Sequence, residues 1–184
     1  MPIRTTLSIL AGAGLALLWG VVAYPVIDWA DNALYWRRVR AGSDVAELVG
    51  HLGNNTFFEF SRAAAKAGLR RSDTIKGVVD NATLQPDGRL RLFGWAVDTH
   101  KGNKPVDVFL IAPKVAVFMV QTSRSRDDVA DVFLFPRDYI KAGFETTFDH
   151  KVDCAVARAA PYVVVVNQDL EYDIVNPQVK IAGC

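Results

Sequence analysis

The side chains best suited to chemistry in this chain are three histidines, His51, His100 and His150, and two cysteines, Cys154 and Cys184. A structural zinc site takes about four nitrogen or sulfur ligands. In Asp149-His150-Lys151-Val152-Asp153-Cys154 an extended backbone puts His150 and Cys154 on one face and the charged residues on the other. That is two ligands with no matching pair elsewhere, so no metal is expected. Asp98 and His100 could form an acid–base pair. No nucleophile motif such as G-x-S-x-G accompanies them, and a solvated loop is their expected setting. His51 lies among apolar residues and reads as structural. No glycine-rich phosphate loop is present. The reading is therefore of a protein without catalytic residues, cofactor or metal, and not an enzyme.

The cysteines suit another role. They form no C-x-x-C pair. In an oxidising compartment Cys154 and Cys184 would join, closing a loop of about 30 residues and tying the C-terminal segment to the sheet. In a cytoplasm they would be two unrelated thiols. Asn54-Asn55-Thr56 and Asn81-Ala82-Thr83 match the glycosylation triplet, which matters only in a eukaryotic secretory setting.

Composition bounds what must position these groups. The chain has 184 residues, a formal net charge of +1 and 51% hydrophobic residues. A near-neutral balance argues against a nucleic-acid partner, and the apolar content excludes a disordered chain. The length suits one domain with an appendage.

The appendage comes first. Residues 5–27 carry no charged side chain, and a helix of about 23 residues just spans a hydrocarbon core of roughly 30 Å. Residues 1–30 are expected to be a transmembrane anchor or uncleaved signal set in a lipid bilayer. The alternative is a cleaved signal peptide, with Val21-Val22-Ala23 as its small-residue site. Arg4 favours a cytoplasmic N-terminus; Arg37, Arg38 and Arg40 count against it. The cysteines and the β-rich tail favour an extracytoplasmic domain. The expectation is thus a single-pass protein of the inner (cytoplasmic) membrane with a periplasmic C-terminal domain. Gly12 and Ala16 form a small-xxx-small pair that would allow close helix packing.

Residues 31–74 read as a short helical connector. The membrane helix is expected to run on to Arg40, ended by Ala41-Gly42. A second helix begins at Ser43 and stops at Gly53, with Val45, Leu48, Val49 and Leu52 as its apolar stripe. A third begins at the capping box Thr56-Phe57-Phe58-Glu59 and ends at Gly68, with Phe57, Phe60, Ala64 and Ala67 on one face. Such short helices need a surface to pack on, either the β domain or another subunit.

Residues 75–184 read as the β domain. Period-two alternation predicts strands over 75–84, 89–98, 106–112, 115–122, 144–152, 162–166 and 172–181. Pro86-Asp87-Gly88 is a turn, Asp127 to Ala130 a short helix, and 136–142 another helical turn. Without a βαβ rhythm, an antiparallel β-sandwich is the economical way to bury these faces.

Four segments in order carry a likeness: Gly77-Val78-Val79-Asp80, Gly94-Trp95-Ala96-Val97-Asp98, Arg126-Asp127-Asp128-Val129-Ala130 and Gly143-Phe144. Over residues 75–150 this resembles the small G-W-A-x-D β-sandwich accessory module appended to bacterial glycosyltransferases and other cell-envelope proteins. The resemblance implies an accessory or interaction module, in some cases with carbohydrate contact, and no catalytic domain. No transferase domain accompanies it in this chain. Gly94, Trp95, Asp98, Arg126, Asp128, Gly143 and Phe144 are expected to hold the fold. An arginine with its aspartates would pin a loop to the sheet, and the tryptophan would bury a large aromatic area. The expected function is that of a membrane-anchored, non-enzymatic accessory subunit. It would dock on a protein partner in a membrane or envelope assembly, through its β domain and the aromatic-rich connector (Tyr35, Trp36, Phe57, Phe58, Phe60). The alternative is a carbohydrate-binding envelope module with a glycan partner.

Overall fold

Alternating apolar side chains build two packed sheets here, and two strands that are apolar on both sides tell where a third layer lies. The computed structural model describes residues 45–102, 104–136 and 140–184, which fall in one compact unit, Asp44–Cys184. The expected membrane anchor and the first part of the connector lie outside the described residues. Among the described residues no helix is long and apolar enough to cross a membrane.

Helix α1 covers residues 45–52 and α2 covers Phe57–Lys66. The strands are β1 (Arg70–Arg71), β2 (Ile75–Leu84), β3 (Arg89–Asp98), β4 (Asp107–Ala112), β5 (Ala116–Gln121), β6 (Gly143–Lys151), β7 (Tyr162–Val166) and β8 (Glu171–Asn176). Two short helices, α3 (Asp127–Phe133) and α4 (Ala155–Arg158), flank β6. A five-stranded sheet runs β1-β8-β7-β4-β5 and a three-stranded sheet runs β2-β3-β6.

The two sheets pack face to face. Leu90, Leu92 and Ala96 of β3 and Phe144 of β6 meet Val108 and Leu110 of β4 and Val163 and Val165 of β7 in one buried cluster. The alternate residues of the large sheet are buried too. Phe109, Ile111, Tyr162, Val164, Val166 and Tyr172 form a second cluster with Val45, Val49, Leu52, Phe60 and Ala64 of the helices. This is why β4 and β7 read as continuous apolar runs: a strand covered on both faces has no polar side.

The helices expected as a connector are therefore the third layer of the β unit. Their stripes fall as the 3.6 period places them, and the capping box is present: the Glu59 carboxylate accepts from the Thr56 backbone N–H at 3.0 Å and from its hydroxyl at 2.9 Å. Tyr162 donates its hydroxyl to the carbonyl of Asn55 at 2.9 Å, tying the turn between α1 and α2 to the sheet. Burial pushes the Tyr162 phenol above its ordinary value.

Three expectations need correction. The sandwich is not wholly antiparallel, because β1 pairs parallel to β8. Leaving α2 at Gly68, the chain needs only two residues to reach that edge, where Arg70 and Arg71 meet Glu171 and Asp173. The last strand stops at Asn176, and residues beyond it turn away to form a strap along β2: Leu84 N–H donates to Ala182 O at 2.8 Å, and Ala182 N–H to Ala82 O at 2.9 Å. Pro136 and residues 140–142 are not helical; Ile140 and Ala142 instead join Val97, Val129 and Ala130 in a small third cluster. The disulfide is formed: Cys154 and Cys184 lie 5.5 Å apart at Cα and fasten the end of the strap beside α4.

Candidate functional site

The outer faces of the two sheets differ. The large sheet is roofed by α1 and α2. The small sheet turns outward the alternate residues of its three strands, in register: Thr83 beside Arg91, Asn81 beside Phe93, and Phe93 beside Glu145. Alternation alone puts them there, since Leu90, Leu92 and Gly94 point the other way.

Asn81, Thr83, Gln85, Arg91 and Phe93 line a groove of about 290 Å³ on this face. The Thr83 hydroxyl donates to the Asn81 side-chain carbonyl. Arg91 donates to the Glu145 carboxylate, which also accepts from Arg124. Hydrogen bonding from Arg91, helped by the charges of both arginines, holds the Glu145 carboxyl below its usual range. The groove thus offers amides, a hydroxyl, an oriented guanidinium whose charge is balanced, and an aromatic ring.

Two of the expected motif residues, Arg126 and Asp128, lie beside this face. Arg126 donates from Nε and Nη2 to the two oxygens of Asp128 at 2.8 and 2.7 Å, and from Nη1 to Asp80 at 2.9 Å. Its guanidinium lies 5.6 Å from the centre of the Phe93 ring. Asp80 sits at the register shift between Val79 and Asn81, so a bulge in β2 carries that carboxylate to the arginine. The Arg126 hydrogen bonds hold the Asp128 carboxyl at about 2, and the same bonds raise the Arg126 guanidinium above its ordinary value. These contacts link the loop before α3 to β2.

Gly94 has a steric reason. A Cβ there would sit 2.3 Å from the Val78 carbonyl oxygen and 2.7 Å from the Phe144 ring. A Cβ on Gly143 would meet Arg126 Cγ at 2.9 Å. Trp95 faces outward, half-buried, its ring edge-on to Phe133 with centroids 6.0 Å apart. Phe144 is buried between the sheets.

Asp98 is not in a solvated loop. It ends β3 and is 1% exposed. Its carboxylate accepts from Asn167 Nδ2 at 2.8 Å and from the His100 backbone N–H at 3.0 Å, with Lys101 Nζ 3.9 Å away. Asn167 follows β7, so this contact joins the small sheet to the large one. The His100 side chain is exposed and takes no part in the described contacts of Asp98. His51 points into solvent with Glu47 at 3.7 Å, not into an apolar setting. His150 is exposed, while Cys154 is committed to its disulfide, so the two do not converge. Among the described residues no group of three or more histidine, cysteine or acidic side chains is placed to hold a metal ion.

The sequence reading missed the groove. The signal was available: Asn81 and Thr83 at period two on one strand, Arg91 and Phe93 at period two on the next. Asn81 and Thr83 stood out there only as a glycosylation triplet. No family model, no curated protein and no solved structure matches this chain.

Proposed function

We propose that this chain is a membrane-anchored, non-enzymatic accessory module of the cell envelope, and that it works by holding a glycan on the outer face of its small sheet. The observation that carries the reading is the groove between β2 and β3. Amide, hydroxyl and guanidinium groups satisfy sugar hydroxyls, and an aromatic ring accepts the C–H face of a pyranose. A volume of about 290 Å³ is at the small end for a ligand site and suits a short stretch of a polysaccharide. The carboxylates around it are engaged by arginines, so they fit a holding role and not proton transfer. The disulfide fits an oxidising compartment, and the uncharged run at 5–27 supports the anchor.

The test is a glycan array probed with the detergent-solubilised full chain, followed by titration of any hit. Arg91→Ala and Phe93→Ala should each weaken binding about tenfold or more. Absence of binding to every envelope polysaccharide would overturn the reading.

A second reading, docking on a larger membrane assembly, has its own observation. Phe57 and Phe60 pack on the chain's own sheet, but Val132 and Leu134 project beside α3 with 73% and 90% exposure. Val132→Ser with Leu134→Ser should release a partner seen by native mass measurement of gently extracted membranes. An unchanged mass would remove this reading.

A further inference from the structure

The solvent face of α2 sets an exposed aromatic ring beside two cations. Phe58 is 87% exposed. Arg62 and Lys66 follow it at i+4 and i+8, so the three lie along one side of the helix. Together with Asn55, Glu59 and Ala63 they line a shallow furrow of about 440 Å³. Most arginines described elsewhere have an acidic partner: Arg70, Arg71, Arg89, Arg91, Arg124 and Arg126 all form ion pairs. Among the described residues Arg62 and Lys66 form none. Glu59, the acid on this face, is occupied by Thr56 at the helix start. The Thr56 hydrogen bonds, helped by the charges of Lys114 and Arg62, hold the Glu59 carboxyl below its usual range.

A ring aimed at water beside two cations outside ion-pair contact, with Glu59 already engaged by Thr56, fits an interface of acyl chain and phosphate. The chain also limits where this face can go. The described residues start at 45, and the uncharged run ends at residue 27. A link of about 17 residues reaches at most roughly 60 Å when extended. If that run is in the bilayer, the domain stays within roughly 60 Å of the membrane. Arg37, Arg38 and Arg40 add positive charge to the same link.

We propose that the outer face of α2 lies on an anionic phospholipid surface, with Phe58 inserted at the headgroup level and Arg62 and Lys66 against lipid phosphates. This rests on the membrane-anchored reading given above. It would turn the groove of the small sheet, on the opposite side of the sandwich, away from the membrane.

The full chain, with its native disulfide intact, is reconstituted into vesicles after Ala65→Cys and labelling with an environment-sensitive dye. A second sample carries the label at Asp149→Cys on the far sheet. On vesicles of phosphatidylcholine with 30% phosphatidylglycerol, the label at 65 should shift to the blue and the label at 149 should not. The shift should shrink in pure phosphatidylcholine and in about 1 M salt, where the screening length falls to about 3 Å. It should be lost in Arg62→Glu with Lys66→Glu. Phe58→Ser should reduce it while the far-ultraviolet dichroism stays unchanged. If the protein floats with the vesicles and both labels behave alike, the lipid seat is wrong and the anchor stands. If the protein does not float, the anchored reading fails and takes the lipid seat with it.

Discussion

Asp128 is the residue whose charge state shows how the small sheet keeps its shape. Its carboxyl sits at about 2 in the folded chain because Arg126 holds the ionised form; its ordinary value is 3.8. A depressed carboxyl adds stability that is fully present above the unfolded value and is lost as pH falls through the folded one. The window is therefore about pH 4 down to 2. With the side chain well exposed, solvent screening keeps the effect modest. Asp128→Asn should lower the urea midpoint at pH 6 and flatten its fall between pH 4 and 2, read by tryptophan fluorescence. Glu145 acts with the same sign, since its carboxyl is also held down. Asp107 acts with the opposite sign: burial raises its carboxyl, so it favours the folded chain at low pH. An unchanged acid limb in Asp128→Asn would mean that the Arg126 contacts do not persist in solution.

At the scale of elements, the helical roof matters most. Phe60 is fully buried, with its ring edge-on to Tyr162 and Tyr172 at 5.8 and 5.7 Å between centroids. Phe60→Ala should cost about 3–5 kcal/mol in urea unfolding. A connector that merely spaced the domain from a membrane would tolerate the change. Much of this element structure was legible beforehand. The stripe of α1, the capping box of α2 and the alternation along β2 and β3 all follow from local periods. The both-faces burial of β4 and β7 showed as unbroken Val, Phe, Leu and Ile. What was not legible depends on distant partners. Arg70–Arg71 has no strand pattern and pairs only because β8 arrives 101 residues later with Glu171. Asp98 reads as the end of a strand and as a residue that holds the fold, but the partner that receives it, Asn167, lies 69 residues away and gives no local signal. The groove was hidden for a related reason: its walls come from polar positions, which read as mere solvent face until two strands set them side by side.

At the scale of the whole molecule, the disulfide closes a separation of 30 residues. The chain-entropy model assigns such a loop about 3–4 kcal/mol. Cys154→Ser with Cys184→Ser should lower unfolding stability by about that amount, measured by urea titration under non-reducing conditions. The strap it fastens has a consequence in time. Edge strand β2 meets Ala182 roughly 100 residues after it is made, and β1 waits as long for β8. At about 5–20 residues per second, a ribosome leaves both borders open for several seconds. The nascent chain must therefore pass through translation with unpaired strand borders, and it can shut them only when the synthesis of its closing segment is done.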